Sequence, residues 1–284
     1  EVRVGSVTRE HAFVTKTDGT IQDYGTLAGD TISRAFGVNG GGAIAGISTS
    51  NGGTSHAVLG VGPGSMTDLG NLGGVNAAGY GINNSNAVTG WAETGSGLRH
   101  AFVSNGAGAM QDIGTLLGFT TSEGRAINQA GQVVGFSGDS SSSAAFLYTP
   151  GQGMRNLGSL PFALSMAAYG LNDKGFVVGQ ASYSGGPSHA FLWSASNNAI
   201  YDLNSLILPG SNFFLLSATA INNSNQIVAN ALINGQVHAV LLSTIAGQAP
   251  TDSPTQAVPE PATWVLLMLG GGCLYGFNRR RCQG

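Results

Sequence analysis

Charge is scarce in this chain. Asp, Glu, Lys and Arg make up 9% of its 284 residues, against about 25% in an ordinary soluble domain. A nucleic-acid binder needs a basic surface to displace counterions, so that class is excluded. A charge-driven disordered chain is excluded as well, because 42% of the residues are hydrophobic and can build a core. Cysteine is confined to Cys273 and Cys282, which rules out a disulfide framework or a Cys-based zinc site in the body of the chain. Strong helix formers give way to Gly, Ser, Thr and Asn, which argues against a helical bundle. What is plentiful is glycine, 46 residues of it. That leaves a turn-rich all-β protein. Residues 1–257 carry 13 acidic and 8 basic side chains, a net charge of −5, and give no electrostatic reason to seek DNA or anionic lipid.

An internal repeat organises most of the chain. His-Ala-Phe or a close relative begins at His11, His56, His100, Ala144, His189 and His238, at intervals of 45, 44, 44, 45 and 49 residues. An acid or amide follows at Asp23, Asp68, Asp112, Asn156 and Asp202. Next comes an alternating stretch that ends in Asn39, Asn83, Asn128, Asn172 and Asn222. Three residues after each Asn stands Gly42, Asn86, Gly131, Gly175 or Asn225, the types that accept the left-handed position of a tight hairpin turn. A Val-Val-Gly-like run then carries Gly46, Gly90, Gly135, Gly179 and, in the last unit, Ala229. The runs on either side of each Asn turn read as a hairpin, His-Ala-Phe as a third strand and Met-x-Asp-Leu-Gly as a fourth.

Four strands in about 45 residues is the arithmetic of a propeller blade. The expected fold is an all-β repeat β-propeller over residues 1–245. Six four-stranded blades are expected, or five if the two ends share one. The first unit opens in mid-repeat, read as an N-terminally incomplete propeller, and the last lacks its Asp strand. These repeats resemble the HAF-repeat extracellular proteins, named after the tripeptide seen here. That resemblance implies an exported repeat protein and no particular activity.

Past Leu242 the periodicity stops. Residues 246–257 are rich in Ala, Thr, Gln and Pro and read as a flexible linker. Then follow Pro259, Glu260 and Pro261, an apolar stretch over 262–277, and Arg279, Arg280 and Arg281. The stretch reads as one short transmembrane helix, with the arginines holding the C-terminus in the cytoplasm. The whole of 258–284 resembles a PEP-CTERM sorting signal. The resemblance implies that an exosortase recognises Pro259-Glu260-Pro261 and removes the tail. It also implies a Gram-negative bacterium that makes exopolysaccharide or biofilm, a transient inner-membrane anchor, and a final place on the cell surface or in the extracellular matrix.

Chemistry is sparse. There is no Gly-x-Ser-x-Gly elbow, His-Glu-x-x-His or P-loop. All five histidines share one repeat position, and His and Asp are lost together in the fourth unit, as Ala144 and Asn156. A structural His–Asp contact accounts for that, and His100 is expected to bond Asp112. No metal and no cofactor is expected. Trp91, Arg99, Phe213 and Phe214 are the candidate ligand residues, assigned to variable loops on the face opposite the Asn turns. The expectation is a non-enzymatic scaffold that binds exopolysaccharide or an envelope protein. A polysaccharide hydrolase or lyase, and a purely structural matrix protein, are the alternatives.

Overall fold

The structure, a computed structural model, describes residues 2–4, 7–106, 110–208, 210–244 and 266–268. Two short antiparallel pairs open it: β1 (Val2–Val4) with β2 (Val7–Arg9), and β3 (Ala12–Thr15) with β4 (Ile21–Gly25). Five four-stranded antiparallel sheets follow. The first holds β5 (Asp30–Val38), β6 (Ile44–Ser50), β7 (Ser55–Gly60) and β8 (Met66–Asp68). The second holds β9 (Gly73–Ile82), β10 (Val88–Thr94), β11 (Arg99–Ser104) and β12 (Met110–Gly114). The third holds β13 (Thr121–Ile127), β14 (Val133–Gly138), β15 (Ser143–Thr149) and β16 (Gly153–Asn156). The fourth holds β17 (Ser165–Leu171), β18 (Phe176–Ser182), β19 (His189–Ser194) and β20 (Ala199–Asp202). The fifth holds β21 (Phe213–Ile221), β22 (Ile227–Ile233), β23 (Gln236–Thr244) and β24 (Leu266–Met268).

Each sheet is a meander whose strands pair in chain order. The sheets stack in sequence, and their first strands meet one another: β5 with β9, β9 with β13, β13 with β17 and β17 with β21. The first strands therefore form the inner wall and the fourth strands the outside. Among the described residues no extensive contact joins β1–β4 to the fifth sheet. The core lies in layers between neighbouring sheets. Leu147 and Leu157 of the third meet Met166, Phe191 and Trp193 of the fourth. Val178 and Leu192 of the fourth meet Leu215, Ile227 and Leu242 of the fifth. Strands covered on both faces are accordingly buried in continuous runs, Val88–Ala92 on β10 and Ala190–Ser194 on β19.

The Asn turns are built as their residue types dictate. Gly42, Asn86, Gly131, Gly175 and Asn225 all have positive φ, between 61° and 82°. The Asn three residues earlier does two things at once. Its amide oxygen accepts from its own turn, as Asn83 Oδ1 does from the Ala87 N–H at 3.0 Å. Its amide nitrogen reaches the next sheet: Asn39 Nδ2 donates to the Asn83 carbonyl at 2.9 Å, Asn83 Nδ2 to Asn128 at 3.0 Å, and Asn172 Nδ2 to Asn222 at 3.1 Å. A belt of side-chain amides therefore ties the five sheets together around one end of the axis. The residues after the Asn repeat the pattern, with Gln129 N–H donating to Asp173 Oδ1 at 2.8 Å and Asp173 N–H to Asn223 Oδ1 at 2.9 Å.

Of the stretch 262–277, expected as a transmembrane helix, residues 262–265 and 269–277 lie outside the described residues. The described residues Leu266–Met268 form β24 and pair with β23 through Leu242, Ser243 and Thr244. Among the described residues no helix is long and apolar enough to cross a membrane. The physical reason is the unpaired outer edge left where the last repeat lacks its Asp strand. An apolar run satisfies that edge with its backbone, whereas only a bilayer obliges it to form a helix. The linker 246–257 and the signal residues Pro259, Glu260, Pro261, Arg279, Arg280 and Arg281 lie outside the described residues.

Candidate ligand-binding site

Every inner strand shares a β-bulge at the same place, and the β5, β9 and β21 pairings carry a second irregularity elsewhere. Pairing steps from Ala35 to Gly37 on β5, Gly79 to Gly81 on β9, Gly124 to Ala126 on β13, Ala168 to Gly170 on β17 and Ala218 to Ala220 on β21. The residues left without a partner are Phe36, Tyr80, Arg125, Tyr169 and Thr219. A bulge bends its strand and re-aims the extra side chain. The Gly46/Gly90/Gly135/Gly179 column sits opposite for a packing reason. A Cβ at Gly90 would collide with the Ala78 carbonyl oxygen, and one at Gly135 with that of Glu123.

The bulge residues make contact from sheet to sheet. Phe36 meets Tyr80 edge-on at 5.4 Å, and the Arg125 guanidinium lies 4.7 Å from the Tyr80 ring and 5.4 Å from Phe136. Trp91 Nε1 donates to the Tyr80 hydroxyl at 3.0 Å. Arg99 stacks on Trp91 at 4.0 Å and faces Glu123 at 3.6 Å, while Arg125 pairs with Glu123 at 2.8 Å. One carboxylate thus sits between two guanidinium groups.

Between the third and fourth sheets this inner wall opens into a cavity of ≈ 280 Å³. Arg125, Phe136, Tyr169 and Gln180 line it, with Ser143, Ser165 and Ser182 at the strand ends. Those ends lie opposite the Asn turns, on the side of the hairpin loops and crossovers. Arg125 Nε is buried there without a hydrogen-bond partner, and the Tyr169 hydroxyl donates to Gln180 Oε1 at 3.3 Å. Burial raises the Tyr169 hydroxyl pKa, and the Arg125 charge offsets part of that rise. The wall therefore offers a cation, a neutral phenol, an amide and hydroxyls around two aromatic faces. Such a set holds a polar ring-shaped ligand.

The residues singled out from sequence fall in different places. Trp91 is not in a loop: it stands on β10, 8% exposed, beneath Arg99. Phe213 and Phe214 are not in a loop either. They open β21, because its pairing with β22 runs on to Ile233, and Phe213 packs into the layer between the fourth and fifth sheets. His56, His100, His189 and His238 lie on third strands, and His11 immediately precedes β3. His11, His56, His100 and His189 each bond the repeat Asp through Nδ1, at 2.9, 3.0, 2.9 and 2.6 Å. Among the described residues no Asp stands opposite His238, and β24 pairs only with the far end of β23. Among the described residues no group of three or more His, Cys, Asp or Glu could hold a metal ion.

Sequence reading missed Tyr80, Arg125 and Tyr169. A signal was present. Counting back three from each Asn gives Phe36, Tyr80, Arg125, Tyr169 and Thr219, a column whose chemistry changes while its neighbours repeat.

Together the layered sheets and the tail define an all-β, propeller-like protein that carries an export signal. Residues 257–281 match the PEP-CTERM protein-sorting motif, which implies export, a transient membrane anchor and exosortase processing. No curated protein matches the chain. Among solved structures it is similar to TolB from Acinetobacter baumannii, with 14% identity, 81% of this chain covered and a TM-score of 0.52. The chain spans 58% of that protein's length. It is also similar to a puromycin-hydrolyzing peptidase from Mycobacterium tuberculosis, at 11% identity over 84% of this chain and 36% of that one, TM-score 0.48. The β-propeller domain of the Trilobed protease from Pyrococcus furiosus has 8% identity over 79% of this chain and 81% of that one, TM-score 0.37. At such identities the likeness concerns the fold alone.

Proposed function

We propose that this is a non-enzymatic, carbohydrate-binding scaffold of a Gram-negative envelope or exopolysaccharide matrix, delivered there by its sorting signal. In this reading the two N-terminal strand pairs count as a sixth blade, and the apolar stretch 262–277 anchors the chain until an exosortase removes it. The observation that carries the binding role is the cavity around Arg125, which joins an unpaired guanidinium nitrogen to Tyr169, Gln180 and three serines. Binding is favoured over hydrolysis by the lining itself. Glycoside hydrolysis takes two carboxyl groups flanking the bond, and the nearby Glu123 is held between Arg99 and Arg125.

The test is co-sedimentation of the full chain with exopolysaccharide from the producing cells, together with an assay for new reducing ends. Retention is expected without new ends, and Arg125→Ala should weaken it by about tenfold, the loss of one charge-assisted contact. New ends would replace this reading with the hydrolase or lyase. Absence of retention would leave the structural matrix protein.

A further inference from the structure

A second cavity lies at the outer edge of the fourth sheet, away from the inner wall. It measures ≈ 460 Å³ and is lined by Leu160, Pro161, Phe162, Tyr183, Pro187 and His189, with Asp202 and Gly186 completing it. Phe162 is the unusual member. Five non-glycine residues have positive φ among those described; four are Asn, which tolerates that region, and the fifth is Phe162 at 64°. Its side chain is also 94% exposed. An exposed ring on a backbone that L side chains rarely adopt gains nothing from packing. Such an outlier points to recognition.

The polar end of the cavity is equally distinctive. His189 and Asp202 form the shortest of the four His–Asp pairs, at 2.6 Å. His189 lies between two aromatic rings, Tyr183 at 4.5 Å and Phe214 at 4.8 Å. Asp202 spends its other oxygen on the Asn204 N–H at 2.8 Å. With Nδ1 bonded to Asp202, Nε2 is the ring nitrogen left to face a ligand. Burial and the Asp202 charge both raise the Tyr183 pKa, so its hydroxyl stays protonated and able to donate.

We propose that this rim cavity binds a neutral pyranose ring, with Phe162 and Tyr183 covering its C–H faces and His189 bonding a hydroxyl. Charge selects a neutral ligand. No Lys or Arg lines the cavity, and its one charged group, Asp202, repels an anionic sugar. The same walls disfavour a peptide strand, because Pro161 and Pro187 have no N–H to pair with one. The site is independent of the Arg125 cavity, so either can fail without the other.

Methyl glucopyranoside, methyl galactopyranoside and methyl mannopyranoside are titrated into the full chain up to about 100 mM, a range that reaches millimolar affinities. Saturable shifts of aromatic ring resonances are read by NMR. At least one of the three should bind, Phe162→Ala should weaken it by about tenfold or more, and Arg125→Ala should leave it unchanged. Phe162→Asn serves as a second variant, since Asn accepts the local backbone and removes only the ring. Overturning results are no saturable shift with any of the three, binding that survives both Phe162 variants, or tighter binding of glucuronate than of the glucoside. Loss in Arg125→Ala alone would place the sugar in the inner cavity and overturn the rim site while leaving the scaffold reading intact.

Discussion

The repeat Asp shows how much one side chain does in this fold. One oxygen of Asp112 accepts from His100, and the other caps the Gly114 N–H at 2.7 Å. In the fourth unit Asn156 keeps the second task, accepting from the Gly158 N–H at 2.8 Å, where Ala144 has no ring to receive. The joint loss of His and Asp in that unit therefore follows from the chemistry: an amide suffices once only a turn remains to be capped. The carboxylate also makes stability depend on pH. Burial pushes the Asp23 carboxyl up, but the His11 bond, the Gly25 N–H and the His11 charge outweigh it and hold the pKa below 3.8. A folded pKa below the unfolded one gives stability that is present above the unfolded value and lost as pH falls through the folded one. Urea midpoints of the wild type and Asp23→Asn, measured from about pH 6 to pH 3, should differ at the upper end and converge at the lower. A constant gap across that range would mean the carboxylate's charge contributes nothing.

At the scale of the element, the Asn hairpin was half legible. The spacing of Asn and Gly or Asn located all five turns and their left-handed residues, because that geometry is local and only a few residue types accept it. The belt was not legible, since the other half of each Asn bond lies 44 to 50 residues away. Nor were the bulges. An extra residue on β9 is accommodated by Gly90 on β10, and no window short enough to show a period of two contains that relation. For this reason the local sequence points Trp91 to a loop and gives Arg125 no signal of its own. The belt gives a sharp comparison. Asn83→Asp keeps the turn's acceptor but removes the donor to Asn128 and sets a carboxylate oxygen against that buried carbonyl, which keeps only the Gly131 N–H. It should cost about 1–3 kcal/mol in urea unfolding. Asn222→Asp should cost less than about 1 kcal/mol, because its amide nitrogen bonds Gln226 within its own turn and lies exposed. Equal losses at the two positions would mean that the amide belt does not couple the sheets.

Over the whole molecule, each sheet is held chiefly by its two neighbours, as in other repeat arrays. One junction shows this in its charges. The residue before the repeat His pairs with a first-strand residue of the next sheet: Glu10 with Arg34 at 2.8 Å, and Arg99 with Glu123 at 3.6 Å. The signs are reversed between the two junctions, so the contact rather than either residue type is what recurs. A stack of this kind has terminal edges, and the fifth sheet covers its outer one with Leu266–Met268, taken from inside the sorting motif. The same segment thus serves either the membrane and the exosortase or the edge of β23, and not both at once. Removal of the tail should uncover that edge. Leu267→Pro in the full chain isolates the effect, because proline takes away the N–H that Leu267 brings to its pairing with Ser243. Amide exchange over Leu242–Thr244 should speed up by about tenfold or more, while β10 in the second sheet stays unchanged. The exposed edge should also promote association of the chain with itself. Unchanged exchange at Leu242–Thr244 would mean that β23 is protected without help from the tail, and that exosortase processing leaves the last sheet as it was.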